Sequence, residues 1–301
     1  MGISKQFYLD APLIHLRPDI VHFEFGSLVV GRTHLKELLD VKLSVSFRGY
    51  DLNYIGLDQP NYYQQVWDTV NKVHFLGHDL WQRAQKRGLP KDLPHVLIPP
   101  AIELINFPKS ISYHTGKLGT HECPLQILSV GRLHWKKGYE FNLQAVKHLI
   151  DQGLNCDYQI IGDGNYKAAL YYACQQFGLE KVVKFCGSLP HAQVIEKFRW
   201  ADVFLHGAIS EGFCNAVLEA QAMGVPVVCT DADGLPENIR DRVTGFVVPQ
   251  RDAAALAEKL ALLARDGKLR SNMAKAGRKR VETHFQMEDQ LNAFEQFYEQ
   301  L

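Results

Sequence analysis

Residues 210–224 read S-E-G-F-C-N-A-V-L-E-A-Q-A-M-G, with seven residues between Glu211 and Glu219. Before them, Ala201-Asp202-Val203-Phe204-Leu205-His206 has the length and apolar content of a buried strand, and Val225-Pro226-Val227-Val228-Cys229 follows as another. The stretch is therefore a strand–loop–helix–strand unit. Asn215 is a suitable N-cap and residues 216–223 hold strong helix formers, so the first acid falls in the loop and the second on the helix. Helical Cα–Cβ bonds tilt toward the N-terminus, so Glu219 leans back toward the loop that carries Glu211. Two acids and a row of free helix N–H groups then face one point, which suits a ligand bearing both hydroxyls and phosphates. Each acid alone has a plainer reading, because the helix dipole favours an acid in the first turn with no ligand at all. The pair, set between two apolar strands with Gly212 beside it, is less readily assigned to capping.

Working outward, the same alternation extends in both directions. In the second half, strands are expected at 125–130, 158–161, 182–185 and 246–248. Helices are expected at 138–149, 165–177, 192–200, 253–265 and 269–282. A last amphipathic helix at 288–300 carries Leu291, Phe294, Phe297 and Tyr298 at helical spacing. In the first half, strands are expected at 20–23, 43–47, 72–76 and 95–98, with helices at 30–39, 62–70 and 79–86 and a loop at Arg48-Gly49-Tyr50-Asp51. Residues 99–122, with three prolines and two glycines, break the rhythm and read as a linker. Strand and helix alternating at this spacing give an α/β fold with parallel sheets.

Hydrophobic residues make up 46% of the 301 and charged residues 22%, as in a globular protein with a sizeable core. Lys+Arg and Asp+Glu number 33 each, so no global charge points to nucleic acid. The six cysteines are scattered, without a C-x-x-C or a Cys/His cluster of metal-site spacing. They are expected to be reduced, which places the chain in a reducing cytosol. No apolar run reaches membrane-spanning length, and the N-terminus lacks a signal-peptide core. Gly2 fits the loose myristoylation pattern, but position 6 is Gln6, so that reading is set aside.

Three loops of the second half fall at the C-terminal ends of expected parallel strands, where open α/β sheets take ligands. In Gly131-Arg132-Leu133-His134-Trp135-Lys136-Lys137-Gly138, Gly131 allows close backbone approach, and Arg132 and Lys137 supply cations for a pyrophosphate. Gly162-Asp163-Gly164 is a tight turn, near a ligand or merely a turn. The third loop carries Glu211.

Taken in order, G-R-L-x-x-x-K-G, I-I-G-D-G, F-C-G-S-L, S-E-G-F-C-N-A-V-L-E-A-Q-A-M-G, D-G-L-P-E-N and T-G-F-V-V-P resemble glycosyltransferase family 4 over about residues 123–285. R-P-D-I-V-H-F-E-F, S-F-R-G-Y-D-L and V-L-I-P-P-A-I resemble the rear of that family's acceptor domain, and the R-G-Y-D form is most similar to exopolysaccharide, colanic-acid-type transferases. The resemblance implies a retaining, metal-independent enzyme of the GT-B fold, with two Rossmann-like domains and no cofactor beyond its nucleotide-sugar donor. It further implies that Arg132 and Lys137 hold the diphosphate, Glu219 the ribose hydroxyls, and Glu211 the donor sugar near the reacting centre. Gly131, Gly162 and the backbone N–H groups of Phe213, Cys214, Asn215 and Ala216 would line the donor, and Leu189 would lie near the base. Arg48 stands where many relatives have a histidine; a guanidinium is no general base, so its role is ligand contact or an ion pair with Asp51. His22, His74 and His78 are read as structural histidines.

The domains expected are a partial N-terminal acceptor-side domain with linker (1–118), a nucleotide-sugar domain (119–285), and a final helix (286–301) packing back on the first. The first half lacks the front strands of a full doubly wound domain, so the N-terminal domain is expected to be incomplete and to expose a sheet edge. The function expected is transfer of a sugar to a saccharide or lipid-linked acceptor in the cytoplasm, with peripheral contact at the inner membrane face. Two other readings stay open: a remnant that binds nucleotide-sugar without turnover, and a nucleotide-sugar epimerase, disfavoured by the Arg132/Lys137 and Glu211/Glu219 set.

Overall fold

A computed structural model describes residues 3–108 and 116–301, so Gly2 and part of the expected linker lie outside the described residues. The chain divides into two compact units, Met1–Pro99 with Leu291–Leu301, and Pro100–Gln290.

The first unit holds α1 (Ile3–Leu16), β1 (Ile20–Phe23), α2 (Gly26–Val29), α3 (Leu35–Leu39), β2 (Lys42–Phe47), α4 (Gly49–Asn53), α5 (Gln64–Thr69), β3 (Lys72–Phe75), α6 (His78–Lys86) and β4 (His95–Leu97). The second holds β5 (Leu125–Val130), α7 (Tyr139–Asp151), β6 (Cys156–Ile161), α8 (Lys167–Gln176), β7 (Val183–Gly187), α9 (His191–Trp200), β8 (Val203–His206), α10 (Asn215–Ala222), β9 (Val227–Thr230), β10 (Gly245–Val248), α11 (Ala253–Arg265) and α12 (Gly267–His284). A last helix, α13 (Met287–Glu299), joins the first unit from Leu291 onward. Both sheets are parallel, ordered β1-β2-β3-β4 and β10-β9-β8-β5-β6-β7. The α/β reading with two parallel sheets therefore holds.

In the first sheet β2 is buried from Leu43 to Phe47, as expected of a strand covered on both faces. On one face Phe47 packs on Tyr63, Trp67 and Phe75 with ring centroids 4.7–5.7 Å apart. The other face is unusually polar. The register sets His22 beside Ser44 and Ser46 beside His74, and the four side chains form one hydrogen-bond chain. His74 Nε2 lies 2.8 Å from Ile98 O. A carbonyl only accepts, so neutral His74 must donate there and accept from Ser46 at Nδ1 (2.8 Å). Ser46 then accepts from His22 Nε2 (2.8 Å), and Ser44 donates to His22 Nδ1 (2.9 Å). Phe294, Phe297 and Tyr298 of α13 lay ring edges over both imidazoles. His22 and His74 are thus structural, as read.

Several local expectations change. Of the helix expected at 30–39 only α3 forms; the shorter α2 precedes it, and between them runs a turn where Arg32 Nε reaches Asp10 of α1 (2.8 Å). The loop expected at 48–51 opens α4, because the Asp51 carboxylate accepts from Arg48 N (2.9 Å) and Ser27 N (2.8 Å). Helix α1 was not anticipated. The division falls at Pro99 instead of after 118: Ile102 N donates to Phe285 O (3.0 Å), and Phe107 is buried in a second-unit core with its carbonyl held by Arg278 (2.6 Å).

The second sheet has a core on each face. Leu125, Ile127, Leu143, Tyr158 and Leu260 are buried on one side, and Leu128, Phe204, Val217, Leu218 and Val281 on the other. Its strand order reverses between β5 and β8, so the loops leaving these two neighbours open at the topological switch point, where ligands collect in open α/β sheets. These are the loops that carry Arg132–Lys137 and Glu211. Among the described residues no helix is long and apolar enough to cross a membrane.

Candidate active site

Main-chain bonds draw the strand-end loops together before any side chain acts. Ile209 N and Ser210 N both donate to Lys136 O (2.8 and 3.2 Å), tying the loop after β8 to the loop after β5. Leu133 N donates to Asp163 O (2.9 Å) and Gly162 N to Gly187 O (2.9 Å), so the loops after β6 and β7 join the same row. Gly138 turns at φ +60°, and a Cβ there would stand 1.8 Å from Gly207 O; no other residue fits this crossing.

That crossing delivers Lys137 to Glu211. Their side chains form an ion pair, and Glu211 is 8% exposed. His206, the last residue of β8 and 1% exposed, sets Nε2 3.5 Å from Glu211 Oε2 and 3.6 Å from Cys214 Sγ. Burial alone would push the Glu211 pKa up; the His206 hydrogen bond and the Lys137 charge outweigh it and hold the pKa down at about 2. Burial likewise works against charge on His206 and Lys137. Cys214 and Glu211 carry His206 up to about 9, and Glu211 raises Lys137. Glu211 is therefore a carboxylate across the physiological range, locked between two cationic groups. Its backbone is clamped as well: Glu211 N donates to Asp233 Oδ2 (3.1 Å) and Glu211 O accepts from Gly234 N (3.0 Å).

The start of α10 differs from expectation. The N-cap is Cys214 and Asn215 is the first helical residue. In place of an Asn215 cap, the buried Asn238 side chain grips Cys214 twice, accepting from its N–H (3.2 Å) and donating to its carbonyl (3.0 Å). The Cys214 N–H is thereby removed from the row of donors expected at 213–216. The N–H groups of Phe213, Asn215 and Ala216 have no partner among the described residues and are the free donors that a helix start leaves. The Phe213 ring turns inward onto Phe285.

Glu219 lies half-buried about one turn into α10. Burial raises its pKa, and His191 at the start of α9 pulls the other way. Arg132 is exposed, with no ion pair or hydrogen bond among the described residues. The Gly131 carbonyl accepts from Tyr139 Oη (2.9 Å). Gly162 and Leu189 are half-buried at the ends of β6 and β7, and Leu189 packs on the second core. Arg48 belongs to the first unit. Its guanidinium pairs with Glu24 and not with Asp51, which is occupied by backbone N–H groups. Both Arg48 and Glu24 sit just past the C-terminal ends of their strands.

Sequence reasoning missed His206, Asp233 and Asn238. His206 had a signal, a basic residue ending an otherwise apolar strand five positions before an acid. Asp233 and Asn238 bracket the D-G-L-P-E-N motif, but nothing in the motif says that its ends face Glu211 and Cys214. The arrangement is a fixed carboxylate, an ammonium, an exposed guanidinium and a helix start, which together can hold a polyanionic ligand and stabilise negative charge leaving a reacting carbon.

The family described as Glycosyl transferases group 1 matches residues 114–280, more than half of the chain. The chain belongs to the group 1 glycosyl transferases. The glycosyltransferase WcaL of Escherichia coli (strain K12), named for colanic acid biosynthesis, is 31% identical over 283 residues, covering 89% of this chain and 67% of WcaL. The amylovoran biosynthesis glycosyltransferase AmsK of Erwinia amylovora is 31% identical over 278 residues, covering 88% of this chain and 66% of AmsK. The chain thus spans about two thirds of the length of these relatives. Among solved structures, HepE of Anabaena in complex with UDP-glucose matches with a TM-score of 0.86 at 16% identity, over 100% of this chain and 84% of that one. Sucrose-phosphate synthase of Thermosynechococcus elongatus matches with 0.82 at 19%, over 100% and 80%. These two likenesses establish the GT-B type of fold for this group 1 chain.

Proposed function

We propose that the chain transfers a sugar from a nucleotide-diphosphate donor to a saccharide or lipid-linked acceptor, with retention at the anomeric carbon. The observation that carries this reading is the largely desolvated Lys137–Glu211 pair at the switch point, next to exposed Arg132 and the N–H groups that open α10 with no partner among the described residues. Arg132, Lys137 and those N–H groups neutralise the departing diphosphate. Glu211 contacts the donor sugar beside the reacting carbon. Glu219 accepts from the ribose hydroxyls, a role that its half-buried carboxylate suits once a hydroxyl replaces lost water. The acceptor oxygen attacks from the face the phosphate leaves, and the phosphate oxygen takes the acceptor's proton; the chain's own cations meet the charge, so no metal is needed. The relatives named for colanic acid and amylovoran biosynthesis support a saccharide acceptor. A lipid-linked one would bring the chain to the cytoplasmic face of the inner membrane.

Calorimetry with UDP-, GDP- and ADP-glucose tests the donor site. One nucleotide series should bind, and Glu219→Ala should weaken it about tenfold, the worth of one buried charged hydrogen bond. Unchanged affinity would remove the ribose role. Radiolabelled donor with an acceptor extract then separates transfer from binding without turnover, and donor epimerised in the absence of acceptor would identify the epimerase reading.

A further inference from the structure

We infer that His206 Nε2, Cys214 Sγ and a Glu211 carboxylate oxygen form a site for a thiophilic divalent cation of the zinc class, taken up in exchange for the Lys137 ammonium. The three ligand atoms lie within 4.8 Å of one another, with His206 Nε2 3.5 Å from Glu211 Oε2 and 3.6 Å from Cys214 Sγ. Tetrahedral zinc, with bonds of about 2.0–2.3 Å, asks for nitrogen–oxygen and nitrogen–sulfur edges of about 3.3–3.5 Å. Two edges of the triangle are already near that size, and the third, within 4.8 Å, would shorten as the ion draws the ligands in.

The ligand types point the same way. One thiolate, one imidazole and one carboxylate form a set that zinc favours, whereas magnesium and calcium prefer oxygen alone. All three residues are buried, so an ion there would be nearly dry and would need its charge matched. The Cys214 thiolate and Glu211 carboxylate supply two negative charges. The triangle is held from behind, with Cys214 gripped by Asn238 and Glu211 by Asp233. Lys137 is what opposes occupation, because its ammonium already holds the Glu211 carboxylate and repels a second cation. Uptake therefore releases the thiol proton and any proton on His206 to solvent, breaks the Lys137–Glu211 pair, and leaves a fourth position to water; no electrons move. If the transferase reading holds, the occupied site also withdraws Glu211 and Lys137 from the donor and is an off state. That clause rests on the proposed function, whereas the binding claim does not.

The test is a Co²⁺ titration of the purified full chain without donor, followed by displacement with Zn²⁺. One equivalent should produce the near-ultraviolet sulfur-to-cobalt charge-transfer band and the strong visible absorption of a tetrahedral site. Zn²⁺ should abolish both. Cys214→Ala should lose the charge-transfer band, while Cys123→Ala and Cys186→Ala keep it. Lys137→Met, checked for folding by circular dichroism, should bind at least about tenfold more tightly, a gain of about 1.4 kcal/mol. The absence of a band in the parent chain, or a band that survives Cys214→Ala, overturns the inference. If Cys214→Ala fails to fold, the Lys137→Met comparison decides: tighter binding supports the site, and unchanged or weaker binding overturns it. Because donor is absent throughout, failure here leaves the transferase reading standing, and failure of that reading leaves the metal result standing.

Discussion

Lys137 and Glu211 are both mostly out of water, and each makes the other's charge tolerable. Lys137→Met would keep the stem's packing and leave a buried carboxylate with the His206 imidazole but no ammonium. Breaking a buried pair from one side costs on the order of 3 kcal/mol. The expected result is a lower urea midpoint with an unchanged slope, together with loss of donor binding in calorimetry. A midpoint within error of the parent would mean that His206 alone suffices to hold Glu211. Arg132 offers a contrast at this scale. It is exposed, with no ion pair or hydrogen bond among the described residues, so Arg132→Ala should leave stability almost untouched, and any loss it causes should appear in ligand binding.

At the scale of elements, the loops after β5 and β8 and the start of α10 are held by main-chain and amide contacts that particular residues permit. Gly138→Ala would place a methyl against Gly207 O and force the two loops apart. Its expected signature is weaker donor binding together with a lower melting temperature, since the Lys136 O contacts to Ile209 and Ser210 would stretch. Asn238→Asp keeps the shape but removes the donor to Cys214 O and sets two acceptors face to face. The loss should be on the order of 1–3 kcal/mol, read as a shift in thermal melting. What was legible follows from this construction. The strands of both sheets showed in sequence because apolar runs such as Val203–His206 are long enough to mark themselves, Glu211 and Lys137 stood out as charges in the loops that follow strands, and Glu219 as an acid on the helix behind one of them. The cap on α10 did not show. Asn215 has the right side chain in the right place, but Asn238, 24 residues away from Cys214, outcompetes it, and a tertiary amide leaves no local pattern. Helix α1 was missed because Pro12 lies inside it, and the two-part α2–α3 segment because the Arg32–Asp10 contact that turns it is also tertiary.

For the whole molecule, the imidazole chain of the first unit predicts a pH dependence. Burial holds His74 down at about 4, against 6.5 for the free side chain, and the backbone bond to Ile98 and the neighbouring Arg48, His22 and Glu24 only modify this. His22 is lowered too, mainly by burial. A base whose folded pKa is depressed is neutral in the native state and protonates first in the unfolded state. Stability is then complete above about 6.5 and falls as pH drops toward 4, by about 3 kcal/mol for His74 alone. Denaturation midpoints at pH 4.5 and 7.5 should show the fall in the parent chain and a flatter profile in His74→Gln; equal slopes would remove His74 as the cause. The main-chain ties between the strand-end loops have a different consequence. A carbonyl and an N–H belong to every residue but proline, so a site whose frame is built from them survives replacement of most of its side chains. That is how 16% identity can coexist with a TM-score of 0.86: the backbone keeps the address while the side chains mounted on it are free to change.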